Sequence, residues 1–150
     1  MYDWLLFLHI VMAMVWIGGA AVLCASAALV LRHAEPGAVS RFVASIRTIG
    51  PVLLAPPPAI VLGTGIWMVV TDDGTGWGQG WIPAGLALFA AAFLVGAAHN
   101  SRAAIAAERA AASGDKTAAA RWLRAWLRGL IVICILLVAA TWDMVFMPGT

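Results

Sequence analysis

The sequence predicts an all-α fold, a four-helix transmembrane bundle with both chain termini on the outer side. Composition, four apolar stretches of spanning length and a one-sided distribution of basic residues predict it. Of the 150 residues, 63% are apolar before any of the 15 glycines is counted, against about 45 to 50% with glycine included in soluble domains. Charged residues make up 11%, where ~25% is usual, and the mean hydropathy is +0.96. A chain of this make-up cannot hide its apolar surface from water, which excludes a soluble enzyme, a nucleic-acid module and a disordered regulator. Residues 1–150 therefore form a single integral membrane domain whose first partner is the lipid bilayer.

A hydrocarbon core ~30 Å thick takes about 20 residues of helix, and spans are expected at about 4–31, 51–71, 81–99 and 124–146. The first is broken only by His9 and Ser26, and its length requires tilt or projection beyond the core. The second opens with Pro51, Pro56, Pro57 and Pro58. Proline can start a helix but kinks its interior, so an irregular first turn is expected. The third is rich in Ala and Gly and continues past His99 as an Ala-rich helix to about Ser113, with Gly114 as a stop. In the fourth, only the stretch between Arg128 and Asp143 is free of charge, so its ends take in snorkelling arginines and Asp143. The segment Asp72 to Gly80, rich in turn-forming residues, reads as a surface turn. The N-terminus Met1-Tyr2-Asp3-Trp4 lacks the basic region of a cleavable signal, so the first span is expected to stay.

All nine basic residues fall on one side of these spans. Arg32, Arg41 and Arg47 lie between the first and second, and Arg102, Arg109, Lys116, Arg121, Arg124 and Arg128 between the third and fourth. The other side carries only acids: Asp3, Asp72, Asp73 and Asp143. The positive-inside rule then places both termini and the Asp72 turn outside, in a multi-pass protein of the bacterial inner membrane with basic connections in the cytoplasm. Tryptophan agrees: Trp4, Trp67, Trp77, Trp81 and Trp142 mark the outer interface, Trp122 and Trp126 the inner one, and Trp16 lies mid-membrane. Arg121, Arg124 and Arg128 recur at helical spacing beside Trp122 and Trp126, an amphipathic surface element suited to anionic lipid.

Polar groups inside a membrane are costly, so each is a functional candidate. His9 leads, with Met12 and Trp16 at i+3 and i+7 on the same helix face. With Asp3 at the surface, His9 lies roughly 9 Å deep. A neutral imidazole there can ligate haem iron or copper, relay a proton, or simply bond to a neighbouring helix. Asp143 is second; at similar depth it either pairs with His9 and orients the ring, or marks the outer water interface. Met12, Met14, Met68, Met144 and Met147 fall in the outer half, where thioethers suit Cu(I) or a sixth haem position and also suit packing. His99 sits near the inner face, about 15 Å from His9 in depth, so the two should not share an iron. His33 is expected at the solvated boundary, and Cys24 and Cys134 as buried free thiols. Gly18, Gly19, Ala20, Gly63, Gly65, Ala92 and Gly96 permit close helix contacts.

The opening Leu8-His9, six residues, then Trp16-Ile17-Gly18-Gly19, resembles the first helix of a family of small bacterial four-span integral membrane proteins of unknown function. The ending Asp143-Met144-Val145-Phe146-Met147-Pro148-Gly149 is similar to that family's closing segment, which commonly has Lys before the Pro. The opening is also similar to HemJ-type protoporphyrinogen oxidases and CopD-type copper-resistance membrane domains. The HemJ resemblance implies that His9 matches a haem-binding histidine. HemJ-type oxidases are expected to use a Lys within a span, whereas the lone Lys here, Lys116, lies in a connection, so the oxidase activity is not carried over. Three functions remain open. One is a b-type haem protein for redox or haem handling, with His9 as ligand and Met12, Trp16, Asp143 and Met144 around the cofactor. The second is a copper-handling protein using His9 with Met12, Met144 or Met147. The third is an accessory subunit without a cofactor. A second copy of the chain or a redox protein is the companion these readings leave room for.

Overall fold

The computed structural model describes residues 2–33, 37–71 and 78–148. They form α1 (Tyr2–Arg32), α2 (Ala38–Leu54), α3 (Pro56–Thr71), α4 (Trp81–Leu94), a π-helical turn (Val95–Asn100), α5 (Ser101–Ala112) and α6 (Lys116–Phe146). No strand occurs among the described residues. Four units are long and apolar enough to cross a membrane: α1, α2 with α3, α4 through α5, and α6. The four-span all-helical architecture is the expected one, and its differences from expectation lie at the ends of the spans. Of the expected outer turn, residues 72–77 lie outside the described residues.

Helix α1 buries His9, Trp16, Ala20, Leu23 and Ala27, a stripe at three- and four-residue spacing. Ala20 and Ala27 are fully buried. Small residues at these places let neighbouring backbones approach, which is how helices adhere where lipid is as apolar as the side chains. At Gly19 a Cβ would stand 3.0 Å from the Leu53 side chain of α2, which would have to shift by a few tenths of an ångström to admit it.

The second span differs from the expected irregular start at Pro51. Helix begins at Ala38, after Gly37 in a left-handed conformation, and runs through Pro51 to Leu54. The break comes at Ala55, and Pro56, Pro57 and Pro58 open α3. Prolines in a first turn lack only donors that would have no helical partner anyway, so three in succession start a helix and cannot continue one. The third span runs to Ala112 and ends at Gly114 with φ 79°, the expected left-handed stop. Its π-helical turn was not legible. The fourth helix starts eight residues earlier than expected, at Lys116, because the Asp115 side chain accepts from the Ala118 amide at 2.9 Å and caps it.

Helix α6 carries the longest buried stripe: Ala119, Leu123, Trp126, Leu130, Ile133, Leu137, Ala140 and Asp143, with Gly129. Leu123 and Leu130 are the largest side chains fully buried. Trp126, expected at the inner interface, is instead in the core, edge-on to Phe42 with ring centroids 6.5 Å apart. It falls on the inward stripe three residues after Leu123, and helix phase overrides an interfacial residue's preference. Arg121, Arg124 and Arg128 do face outward, and the Arg121 guanidinium lies 5.7 Å from the Trp122 ring. An exposed ion pair, Arg47–Glu108 at 2.6 Å, joins α2 to α5.

Candidate functional site

Alternation of the spans puts Tyr2, Thr71, Trp81 and Phe146 at one end of the bundle, and three buried polar groups, His9, Thr64 and Asp143, lie within two helical turns of it. His9 stands seven residues from the start of α1 and Thr64 seven from the end of α3, so both are about 10 Å in along their helices. They meet: His9 Nδ1 and Thr64 Oγ1 are 2.9 Å apart. Thr64 Oγ1 is also 2.7 Å from the Ile60 carbonyl one turn back in its own helix. A carbonyl can only accept, so the hydroxyl proton is committed there and the oxygen receives its second bond from His9. Nδ1 therefore carries a proton. An imidazolium would be costly in this apolar setting, so the ring is neutral and Nε2 holds a lone pair.

Gly65 makes the approach possible. A Cβ at that position would stand 3.3 Å from His9 Cε1 and 3.7 Å from Nδ1, so α3 presents bare backbone to the ring. His9 is only 9% exposed. Met12 is half-buried one turn further along α1. Trp16, two turns further, is in the core and packs edge-on to Phe89 of α4 at 5.6 Å.

Asp143 faces inward rather than marking a water interface, and is 5% exposed. It makes no direct hydrogen bond to His9: the ring's partner is Thr64, and Asp143 abuts α4. A Cβ on Gly85 would lie 3.2 Å from Asp143 Oδ2 and 3.5 Å from the Met144 methyl. Oδ2 is buried with no hydrogen-bond partner. Burying a carboxyl oxygen without a partner carries a desolvation cost that nothing packed against it offsets. Met144 is partly exposed beside it, and Met147 ends α6 in a left-handed cap. Among the described residues no three His, Cys, Asp or Glu side chains gather as a metal cage.

A family model described as "Predicted integral membrane protein (DUF2269)" matches residues 3–148. The chain belongs to that family. The match covers both segments that suggested a small four-span membrane family, and the four spans agree with the family's description. No curated protein and no solved structure matches the chain.

For this DUF2269 protein the remaining candidates are apart from the His9 pair. His99 lies in the π-helical turn and its Nε2 donates to the Ala125 carbonyl at 3.1 Å, far down the third span. Cys24 and Cys134 are free, half-buried thiols that face one another between α1 and α6. His33 is exposed, as expected. Gly65 was expected to permit a close helix contact, and it does so at His9. Thr64, Gly85 and Asn100 were not singled out from the sequence. Thr64 had a signal: it is the lone hydroxyl between Ile60 and Val70, at the depth of His9. Gly85 had none, because a glycine that admits a neighbour looks like any other in a span.

Proposed function

We propose that this DUF2269 protein is a membrane haem protein in which His9 Nε2 serves as an axial ligand to b-type haem. The observation that carries the reading is the chain His9 Nδ1–H to Thr64 Oγ1–H to the Ile60 carbonyl. It fixes the tautomer, holds the ring plane and leaves Nε2 as the donor, as hydrogen bonds on the second nitrogen do for metal-bound histidines. The resemblance of Leu8-His9 and Trp16 to the HemJ-type opening points the same way. Haem iron arrives with four ring nitrogens and asks the protein for one or two ligands, a demand that a single oriented imidazole meets.

Bound haem would supply one-electron redox chemistry. The chain's part is to orient the imidazole through Thr64, to keep water from it by burial, and to place the Asp143 carboxyl and the Met144 thioether one helical turn nearer the bundle end. Met12 and Trp16, on the face of α1 that bears His9, would flank the group. The arginines Arg121, Arg124 and Arg128 would hold the basic end against anionic lipid on the cytoplasmic side of the inner membrane.

Absorption spectra of the protein purified from cells supplied with a haem precursor test the reading. The expected result is a Soret band in the wild type that is lost in His9→Ala with the helical content intact. A colourless wild-type protein would overturn the haem reading, leaving bound copper or an accessory subunit, and a Soret band unchanged in His9→Ala would overturn the ligand.

A further inference from the structure

The opposite half of the bundle holds a half-open cavity of about 530 Å³ between the broken second span and the third span. Its walls are overwhelmingly apolar and include the rings of Trp16, Phe93 and Trp126. Phe93, Ala97 and Ile105 line it and are also exposed, so one flank of the cavity opens sideways toward lipid. Arg47 and Glu108, paired across α2 and α5, stand at its rim. Among the residues lining it, Asn100 is the one buried polar side chain, 6% exposed.

The π-helical turn is what brings Asn100 there. Gly85 and Ala92, seven apart, face the core, and the next heptad step would put His99 on the same seam. The wider turn over Val95–Asn100 adds one residue, so Asn100 takes the buried place and His99 stands beside it, bonded to the Ala125 carbonyl of α6, with Ala103 and Ala107 continuing the stripe. Such single π turns recur where function needs a residue re-aimed. Opposite, α6 has Gly129, and a Cβ there would collide with Asn100 Oδ1. Oδ1 is sealed with no partner, and Asn100 lines the cavity. An amide desolvated without a partner costs about 1–3 kcal/mol, and nothing in the packing of apolar walls requires one.

We propose that this cavity is a binding site for a lipid-soluble quinone. The Asn100 amide donates to a ring carbonyl, the Trp16, Phe93 and Trp126 rings enclose the flat head, and the apolar flank admits it from the bilayer. The site does not depend on what His9 binds. A hydrocarbon tail would satisfy the walls but not the amide, and an ionised carboxylate such as that of a fatty acid is costly to bring among apolar walls, whereas a quinone carbonyl is a neutral acceptor.

Thermal unfolding of the detergent-solubilised full chain, titrated with decylubiquinone and in parallel with oleate, tests it. Decylubiquinone is expected to raise the unfolding midpoint saturably and oleate to leave it near that of the free protein. Asn100→Leu is expected to weaken decylubiquinone binding about tenfold, the loss of one hydrogen bond. Ala104→Trp, which fills the cavity from its half-buried wall position, is expected to abolish the shift. No shift in the wild type, an equal shift with oleate, or a full shift in Ala104→Trp would each overturn the proposal.

Discussion

Gly129→Ala tests the tightest crossing in the molecule. A Cβ at Gly129 falls on Asn100 Oδ1, 2.5 Å from His99 Cδ2 and 3.1 Å from Asn100 Cγ. Both neighbours are held by the π-helical turn, and His99 also donates to the Ala125 carbonyl, so neither can simply swing away. Forcing a methyl into a packed contact costs about 1–3 kcal/mol. Loss of the His99 bond adds about 0.5–1.5 kcal/mol, and the better helix propensity of Ala returns up to ~1 kcal/mol. The net expectation is a destabilisation of about 1–3 kcal/mol. The controls are Gly96→Ala, whose Cβ meets Ile133 Cδ1 at an ordinary 3.7 Å, and Gly63→Ala, which meets nothing within 4 Å. Both are expected within about 0.5 kcal/mol of wild type. Reversible unfolding in detergent, followed by circular dichroism, reads all three. Adding Asn100→Ala to Gly129→Ala removes the obstructing amide and is expected to recover at least half of the loss, a coupling that distant sites lack. If Gly129→Ala unfolds with the two controls, α6 does not cross the third span at this glycine and the account of the π-helical turn fails.

Three further outcomes follow from the same packing. Thr64→Val strands a buried Nδ1–H and is expected to cost about 1–3 kcal/mol in unfolding free energy, with Thr64→Ser recovering most of it; a Thr64→Val protein as stable as wild type would contradict the hydrogen bond. Asp143→Asn is expected to leave the unfolding midpoint at neutral pH unchanged or higher, because Oδ2 has no partner to lose; a loss above about 1 kcal/mol would mean a charged, partnered carboxylate. Gly114→Cys, with Cys24 and Cys134 replaced by Ala, is expected to react with a membrane-impermeant thiol reagent in inverted vesicles and not in intact spheroplasts, and the reverse pattern would invert the charge-derived topology.

The spans were legible because membrane solvation leaves a coarse signal: about twenty apolar residues and a one-sided set of arginines. Helix phase was partly legible. The i, i+3, i+7 series His9, Met12, Trp16 does run along one face, with His9 and Trp16 buried and Met12 half-buried. The first and fourth spans are neighbours, as their antiparallel course suggests, but the pairing of side chains was not legible. Depth alone offered Asp143 as the partner of His9, yet α1 meets α3 at that level and α6 presents Asp143 to α4, a matter of rotation that no single sequence encodes. Trp126 was misplaced because a tryptophan near the inner boundary fits both an interfacial belt and a core, and only the Leu123-to-Leu130 stripe decides between them. The π-helical turn was invisible because Val95–Asn100 contains no proline and its Gly96 looks like any other small residue of a span, and the extra residue shows only in which of His99 and Asn100 is buried.

The protonation of the His9 ring is the most direct readout of a histidine prepared to ligate. Nitrogen-15 NMR of the detergent-solubilised, cofactor-free protein with labelled histidine, assigned by His9→Gln, reports both ring nitrogens separately. The expected spectrum has a protonated Nδ1 and a bare Nε2 on His9, and Thr64→Val shifts that Nδ1 resonance. A proton on Nε2 with a bare Nδ1, or protons on both nitrogens at neutral pH, would contradict the account.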